Sequence, residues 1–532
     1  MNNTSSGGGG SVTIGTDGRG YLGLFGQDQT FDDVILSGSD DWLELGRAPT
    51  LYTFKATNLD NSAGGVILTS NSPTVHIDGG TFTYNVPVPE DRRFFRPQVV
   101  GSGGFTKQGD GLLVFDDNTS RDSRKRHTYT GDTRIEGGTL QVSGFARLPF
   151  TSRVFIAEDA TLDLRRMIGD GSGLIGSLSG NGSVVTGSNV ALSVGGRDDV
   201  FDGAISGEGD FVVHGPGTQE LAGANTYSGI TAVGGGTLRV TGAIQGTSQV
   251  STSIQGAIEI DGGNIDTAGD LQLGFASPAL RIMNGGVLKA NQIDPTRIRC
   301  CLPLDPNRIE WLDGTIHLST ATELDFTEGQ PTRQELLRRP FGASLTLDAN
   351  RHLVVDENLT IGSGGSLKLE GGTVAASRIA VAGSMEIDSG QINGPVDNYG
   401  EITVNGTTEF GSYRGRGIAG TGTSIFNSDF QPADKGIGFE GSVVFADTST
   451  ISFRSLDVAR ISIDGSASLG GTLDVSFPHL PEGFVPAPFY TVLESSDLSG
   501  SFANVQAGER LPVENGTFLV SYGEGSLSLI HI

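Results

Sequence analysis

Four pairs of adjacent aspartates are the side chains of this sequence best suited to chemistry. The pairs are Asp32-Asp33, Asp40-Asp41, Asp116-Asp117 and Asp198-Asp199. Two carboxylates can act as acid and base on a glycosidic bond, or they can bind a calcium ion. Neighbouring residues of a β-strand point to opposite faces, however, so an Asp-Asp dipeptide does not place two carboxylates in one site. We therefore interpret most of these aspartates as solvated corners and predict no catalytic residue among them.

Motifs that bind metals or nucleotides, or that activate a serine, are missing from the sequence. None of the seven histidines precedes a glutamate, no lysine follows a glycine, and no serine has glycines two residues before and two residues after it. These absences exclude the metalloprotease helix, the phosphate-binding loop and the nucleophile elbow. The sequence therefore predicts no catalytic residue, no cofactor and no bound metal ion.

The charge balance excludes some partners. The 532 residues include 61 acidic and 35 basic side chains, which give a formal net charge of −26. We expect no nucleic-acid binding, because that binding depends on neutralising phosphates with Lys and Arg. No run of 18 apolar residues occurs, so we predict no membrane-spanning segment. The first residues do not resemble a signal peptide, and we expect a piece whose targeting parts were removed.

Two cysteines, Cys300 and Cys301, are adjacent in the chain. They cannot form a disulfide framework or a four-thiolate zinc site, and we interpret them as loop residues. So few cysteines are compatible with a secreted bacterial protein.

Basic residues gather in four short segments that interrupt the pattern of the rest of the chain. The segments are EDRRFFRP (90–97), RDSRKR (121–126), RIRCCLPLDPNR (297–308) and RQELLRRP (333–340). We interpret them as surface loops, with one helical turn after Pro331. Arginines beside Phe94 and Phe95 could contact a partner or an anionic glycan.

An internal repeat is the most informative feature of the sequence. Residues 127–144 read HTYTGDTRIEGGTLQVSG, and residues 225–242 read NTYSGITAVGGGTLRVTG. Matching positions of the first copy are Tyr129, Gly131, Thr133, Gly137, Gly138, Leu140 and Val142. Those of the second copy are Tyr227, Gly229, Thr231, Gly235, Gly236, Leu238 and Val240. We predict that these residues are the structural positions of one repeated unit.

Each copy contains a glycine corner followed by a short alternating strand. Glycine supplies the positive φ angle that a tight corner needs. The following T-L-x-V pattern sends alternate side chains to one face of a strand. Leu140, Val142, Leu238 and Val240 are therefore predicted to point inward, with the intervening polar residues outward. Similar units recur elsewhere, as in DGGTFTYN at 78–85 and LGGTLDVSF at 469–477.

Short strands between glycine corners are typical of three all-β folds: a sandwich, a propeller and a solenoid. Two tryptophans and 7% aromatic residues do not fit propeller blades, and no proline-rich or serine-rich linker divides the chain into sandwiches. We predict an all-β fold, a right-handed parallel β-helix (β-solenoid) with a C-terminal capping module. The predicted divisions are a β-rich N-terminal segment or start of the solenoid at 1–100, the β-helix at 101–475 and the β cap at 476–532.

The blocks around Tyr129 and Tyr227 closely resemble the autotransporter-associated β-strand repeat, also called the passenger-associated transport repeat. This repeat occurs in passenger domains of autotransporters and in other large secreted or surface proteins of bacteria. Two clear copies cover about 101–144 and 207–242. The resemblance implies secretion and β-helical structure rather than catalysis. A lysine frequent in the family is Lys107 in the first copy, but Val213 stands at the aligned position, which favours a scaffold role over a ligand site.

The function that the sequence favours is that of a secreted or cell-surface structural and interaction protein. We expect a rigid β-helical passenger or stalk for adhesion, matrix or envelope display, located outside the bacterial cell or on its surface. Its expected partners are host, matrix or glycan surface ligands. Two alternatives remain open: a β-helical polysaccharide lyase or glycoside hydrolase, and, more weakly, a fibre subunit that self-associates end to end.

Overall fold

The computed structural model describes residues 10–15, 19–24, 29–45, 53–69, 74–117, 126–168, 172–294, 308–325, 333–432, 437–453, 460–476, 490–513 and 516–531. The chain divides into two compact units, Met1–Arg281 with Arg308–Glu310 and Ile282–Asn307 with Trp311–Ile532. Cys300, Cys301 and most of the basic segments 121–126 and 297–308 lie outside the described residues.

Nearly all described elements are short β-strands. Those that begin before residue 280 are β1 (Val12–Ile14), β2 (Tyr21–Leu24), β3 (Gln29–Leu36), β4 (Trp42–Leu45), β5 (Thr53–Asn61), β6 (Val66–Thr69), β7 (Thr74–Ile77), β8 (Thr81–Asn85), β9 (Arg92–Phe95), β10 (Gln98–Val100), β11 (Gly104–Gln108), β12 (Leu112–Asp117), β13 (Thr133–Ile135), β14 (Thr139–Gly144), β15 (Arg153–Ile156), β16 (Thr161–Met167), β17 (Ser172–Ile175), β18 (Ser177–Gly180), β19 (Ser183–Thr186), β20 (Ala191–Val194), β21 (Asp199–Phe201), β22 (Ala204–Gly207), β23 (Asp210–Val213), β24 (Thr218–Leu221), β25 (Ala224–Asn225), β26 (Ile230–Val240), β27 (Ala243–Thr247), β28 (Gln249–Asp261), β29 (Asn264–Thr267) and β30 (Leu271–Gln272).

From residue 280 onward the described strands are β31 (Leu280–Met283), β32 (Val287–Ala290), β33 (Ile293–Asp294), β34 (Ile309–Trp311), β35 (Gly314–Leu318), β36 (Thr322–Leu324), β37 (Ser344–Asp348), β38 (Arg351–Ile361), β39 (Ser366–Val381), β40 (Ser384–Asn393), β41 (Val396–Asn398), β42 (Glu401–Val404), β43 (Thr407–Phe410), β44 (Tyr413–Gly415), β45 (Thr423–Phe426), β46 (Asp429–Pro432), β47 (Ile437–Phe439), β48 (Ser442–Phe445), β49 (Thr450–Phe453), β50 (Ile461–Leu469), β51 (Thr472–Val475), β52 (Tyr490–Gly500), β53 (Arg510–Val513), β54 (Gly516–Gly523) and β55 (Ser526–His531). A short helix, α1 (Arg333–Arg338), interrupts this series. The helical turn predicted after Pro331 is thus confirmed.

We call each turn of the solenoid a coil. In the first unit, the strands of one coil pair in parallel with the strands of the next coil. One six-stranded face runs in the order β9, β12, β14, β16, β19 and β22. Along this face, Leu113 lies beside Leu140, Leu140 beside Leu162, and Leu162 beside Val184. Because each partner lies about one coil further along the chain, the backbone hydrogen bonds run along the stack and the aliphatic side chains form a continuous interior column.

The second unit is built in the same way up to its C-terminal strands. Phe410 of β43 lies beside Phe426 of β45, which lies beside Phe445 of β48, all in parallel register. β52 continues the stack by pairing in parallel with β50, but it pairs antiparallel with β55, and β54 pairs antiparallel with β53 and β55. The predicted class, an all-β parallel solenoid, is confirmed within each unit. The predicted divisions at residues 100 and 475 stay predictions.

Aromatic rings fill part of the interior of the first unit. Phe82, Phe95, Phe105 and Phe115 are fully buried. Ring centroids lie 5.4 Å apart for Phe82 and Phe95, 5.2 Å for Phe82 and Phe105, and 4.8 Å for Phe105 and Phe115. Each such contact stabilises the stack by about 0.5–1.5 kcal/mol beyond its buried area. Among the described residues, no helix is long and apolar enough to cross a membrane.

Candidate functional site

The tyrosine of the first repeat begins a chain of buried hydroxyl groups that joins two coils. Tyr129 is fully buried, and its Oη lies 2.5 Å from Oγ1 of Thr133. Thr133 Oγ1 in turn lies 2.9 Å from Oγ of Ser152, just before β15 of the next coil. Ser152 donates a hydrogen bond back to the carbonyl oxygen of Gly131 at 2.9 Å. Burial raises the pKa of the Tyr129 phenol, so the phenol stays protonated.

The second repeat builds the same arrangement with a threonine in place of the serine. Tyr227 Oη lies 2.7 Å from Thr231 Oγ1, which lies 3.1 Å from Thr247 Oγ1. Thr247 donates to the carbonyl oxygen of Gly229 at 2.7 Å. The Tyr-x-Gly-x-Thr spacing therefore has a structural explanation, since its three residues close one hydrogen-bonded loop with a hydroxyl of the next coil.

Thr231→Val is expected to destabilise the protein more than Tyr227→Phe. Thr231 is the middle member, so its loss leaves the buried Tyr227 phenol without that partner, whereas Tyr227→Phe removes only the end of the chain. We expect a loss of about 1 kcal/mol for Tyr227→Phe and about 2–3 kcal/mol for Thr231→Val in urea unfolding. Tyr129→Phe and Thr133→Val should show the same order, and equal costs within each pair would contradict the shared arrangement.

Glycines of the repeats lie where neighbouring coils touch. A Cβ atom on Gly131 would lie 2.6 Å from the carbonyl carbon of Gly103, and one on Gly229 would lie 2.3 Å from the carbonyl oxygen of Gly209. Gly138 and Gly236 have φ angles of 58° and 62°, in the left-handed region. Side chains at these four positions would push the coils apart or strain the corner.

The other repeat residues also have structural surroundings. The side chains of Leu140, Val142, Leu238 and Val240 are buried. Gly137 and Gly235 precede the two corner glycines and stack on Gly109 and Gly215 of the preceding coil. Of the fourteen repeat residues, all that are not glycine are buried, and the glycines lie against the backbone of neighbouring coils.

Lys107 is a buried cation at the first repeat's glycine corner. Its Nζ donates to the carbonyl oxygens of Gln108, Gly109 and Gly137 at 2.8, 2.6 and 2.9 Å. Burial lowers the pKa of Lys107 to about 8. The three carbonyl acceptors take up all three ammonium protons. Lys107 therefore links its own strand to the glycine corner of the next coil, where Gly137 lies. At the aligned position of the second copy, Val213 is also buried, but its aliphatic side chain forms no hydrogen bonds.

His127 is held neutral inside the first unit. It is 4% exposed, and its Nδ1 accepts a hydrogen bond from the backbone N–H of Val99 at 3.0 Å. Burial lowers the pKa of His127 to about 4, and nearby Asp117 opposes only part of this shift. An unfolded chain has a histidine pKa of about 6.5, so it binds more protons than the folded chain between pH 6.5 and 4. The stability contributed by neutral His127 is therefore present above pH 6.5 and is lost as the pH falls to 4.

Acidification from pH 7 to 4.5 is expected to remove roughly 2–3 kcal/mol of stability through His127 alone. His127→Gln should reduce the pH dependence of the unfolding free energy by that amount. His214→Gln is the matched control, because His214 is exposed. Urea unfolding at the two pH values measures the effect, and an unchanged pH dependence in His127→Gln would contradict the assignment.

Several of the paired aspartates are buried acceptors rather than solvated corners. Asp41 is 1% exposed and accepts hydrogen bonds from the backbone N–H groups of Gly20 and Gly38 at 2.8 and 2.7 Å. Asp116 and Asp117 are each 5% exposed. The solvated interpretation is wrong for these three, because turn and ladder contacts enclose their carboxylates. It fits the exposed members, Asp32, Asp40 and Asp198. In the ranges that the structure describes, no three His, Cys, Asp or Glu side chains gather as a metal site.

Arg92 and Arg93 lie on strand β9, so the interpretation of these two arginines as loop residues is wrong. β9 pairs in parallel with β12. Arg92 stacks over the exposed ring of Phe94 at 4.6 Å. Arg93 lies 3.5 Å from Asp91, and Arg96 lies 3.3 Å from Asp116. These acidic neighbours thus neutralise part of the positive charge that the binding of an anionic glycan would require.

A cleft of about 600 Å³ is lined by residues of three successive coils of the second unit. It is lined by Gly390, Gln391, Ile392, Asn393, Gly394, Thr407, Glu409, Phe410, Gly411 and Asn427. β40 pairs with β39 and β42, and β43 pairs with β45, but no ladder joins β40 to β43 among the described strands. The cleft therefore lies beside two neighbouring strands that no ladder joins.

Beside the cleft, the two neighbouring segments of chain differ in length. A Cβ atom on Gly406 would lie 2.1 Å from the carbonyl oxygen of Asp388, and one on Gly411 would lie 4.0 Å from that of Gly394. Six residues separate Asp388 from Gly394 and five separate Gly406 from Gly411, a difference of one residue. Sequence reasoning missed this cleft, although Gly411 was a signal, since a Cβ there would meet no atom closer than 4.0 Å.

Comparisons with known proteins agree with the repeat pattern. Residues 105–142 and 211–240 match the family model described as passenger-associated-transport-repeat. The adhesin BmaC autotransporter of Brucella suis biovar 1 (strain 1330) is 32% identical over 247 residues, which cover 44% of this chain and 6% of the adhesin. The crystal structure of the Haemophilus influenzae Hap adhesin aligns with 95% of this chain and 64% of its own, at 11% identity and a TM-score of 0.38. The resemblance seen in the sequence is confirmed, and the chain carries two copies of the passenger-associated transport repeat.

Proposed function

We propose that this chain belongs to the passenger of a bacterial autotransporter and serves adhesion at the cell surface. The observation that carries the proposal is the similarity to an autotransporter adhesin over 247 residues, within a chain that also holds two transport repeats. In each unit, parallel ladders join successive coils, which makes a stiff scaffold. Its expected ligands are host, matrix or glycan surfaces, and its expected location is extracellular or on the cell surface.

A binding role fits the cleft better than a catalytic one. Glycoside hydrolysis usually needs two carboxylates across the bond, and Glu409 is the single charged side chain among the ten lining residues. A lyase would need a lysine or arginine near the sugar carboxylate, and none lines the cleft. We therefore propose a protein without catalytic turnover. End-to-end fibre assembly remains a weaker proposal, tested by negative-stain microscopy.

The divisions at 1–100, 101–475 and 476–532 are part of this proposal. An uncovered terminal coil would expose an unpaired edge that could pair with other chains. The antiparallel strands β53, β54 and β55 follow the last parallel strands and are suited to cover such an edge. We propose that they close the solenoid.

Adhesion of coated particles tests the proposed function. Latex beads bearing the purified chain should be retained on host epithelial cells or matrix-coated wells more than beads bearing albumin, and free chain should compete. Retention equal to albumin on every surface would overturn the adhesive role. The same preparation should release no reducing ends or unsaturated products from polysaccharides; robust release, abolished by one carboxylate substitution, would establish the enzyme alternative instead.

A further inference from the structure

The cleft between β40 and β43 exposes hydrogen-bonding groups of both kinds. Gln391, Asn393, Thr407 and Glu409 are exposed along its two walls, and the half-buried Asn427 donates from Nδ2 to Oε2 of Glu409 at 3.0 Å. Amide and hydroxyl side chains both donate and accept. A ligand that matches them must itself carry donors and acceptors along its length.

The backbone adds to this polar surface. β43 makes its ladder with β45 on one side, and the last residues of β40 make theirs with β39. Because no ladder joins the two strands to each other, the sides that face the cleft carry peptide groups outside any ladder. Gly411 leaves open space beside this backbone, since the nearest atom to a Cβ there is 4.0 Å away.

The charge of the lining residues restricts the class of ligand that the cleft can bind. Glu409 brings a negative charge, and the lining contains no lysine or arginine. Phosphate, sulfate and uronate groups need cationic partners, so the cleft disfavours them. The formal charge of −26 on the whole chain acts in the same direction. Strongly apolar ligands are also disfavoured, since Ile392 and Phe410 are the only large apolar residues of the lining and both are buried.

We propose that this cleft binds a neutral oligosaccharide. Sugar hydroxyls donate and accept, as the walls require, and the volume of about 600 Å³ is in the usual range of ligand sites. The inference deepens the adhesive role proposed above and rests on it for its biological meaning. Its test uses soluble sugars without any cell or matrix, so the cleft can fail while coated beads still adhere.

Gly411→Phe is the decisive variant. The nearest atom to a Cβ at Gly411 is 4.0 Å away and the φ angle is not left-handed, so a phenylalanine can fill the cleft without backbone strain. Gly438→Phe is the matched control, since a Cβ there meets no atom within 4 Å and Gly438 does not line the cleft. Thermal midpoints of both variants equal to that of the unchanged chain establish that the fold is intact.

Binding is measured by saturation-transfer NMR with the whole chain. The neutral probes are tetrasaccharides of glucose, galactose, mannose and N-acetylglucosamine, and the anionic probes are heparin and polygalacturonate tetrasaccharides. We expect at least one neutral probe to bind, with affinity reduced tenfold or more in Gly411→Phe and unchanged within twofold in Gly438→Phe. Glu409→Gln should retain binding within about threefold, because the amide preserves the polar surface.

Three results would overturn the proposal. The first is that no neutral probe binds, and the second is that binding persists in Gly411→Phe. A third is preferential binding of the anionic probes or dependence of binding on the Glu409 charge, either of which would mark a charged ligand.

Discussion

Leu238→Asp is expected to lower the free energy of unfolding by at least about 4 kcal/mol. Leu238 is fully buried and lies in register between Gln219 and Ile258 of the adjacent coils. The substitution removes the aliphatic contact with Ile258 and places a carboxyl group in the buried interior of the solenoid. Urea unfolding measures the loss, and hydrogen exchange should show opening centred on β26 and β28.

Ile254→Asp is the matched control for this prediction. Ile254 lies in β28 and is 61% exposed, so the same kind of substitution should change the stability by no more than about 0.5 kcal/mol. Similar losses in Leu238→Asp and Ile254→Asp would contradict the assignment of inward and outward faces.

Gly236→Ala is expected to cost about 3 kcal/mol, the second largest effect. The φ angle of 62° alone makes a side chain unfavourable by roughly 1–2 kcal/mol. The new Cβ would also lie 2.2 Å from the carbonyl oxygen of Gly217, which accepts the backbone hydrogen bond of Thr237 at 3.0 Å. The overlap can be relieved only by moving the coils apart, which weakens that bond.

Gly246→Ala separates the cost of the positive φ angle from the cost of the close contact between coils. Gly246 has a φ angle of 84°, but a Cβ there meets no atom within 4 Å. Gly246→Ala should therefore lower the free energy of unfolding by only about 1–2 kcal/mol, which is the cost of the backbone strain. Thermal unfolding compares the two variants, and an equal shift in the midpoint would show that the close approach of coils at Gly236 has no energetic role.

The interior of the repeats could be predicted from the sequence because alternation and glycine placement are local signals. Leu140 and Leu238 follow a glycine corner at the same spacing, and both are buried. A turn of helix after Pro331 was predictable for the same reason. Each of these features depends on a few neighbouring residues.

Features that depend on the adjacent coil could not be predicted in this way. Gln141 occupies an outward position by alternation, yet it is buried because its Nε2 donates to Asp163 of the next coil at 2.8 Å. Lys107 is buried because Gly137 supplies a carbonyl from thirty residues away. The cleft is lined by residues of successive coils, which lie side by side only when the coils are stacked.

Parallel stacking in register is the central claim, and a disulfide test measures it directly. Thr450 and Thr472 are paired across β49 and β51, with their Oγ1 atoms 3.1 Å apart. In a Cys300→Ser/Cys301→Ser background, Thr450→Cys/Thr472→Cys should oxidise completely to an intramolecular disulfide, counted by thiol titration and mass. Thr450→Cys/Asp474→Cys places the two Cα atoms about 8 Å apart, beyond disulfide reach, and should keep both thiols free. Free thiols in the first variant, or equal oxidation in both, would contradict the stacked coils.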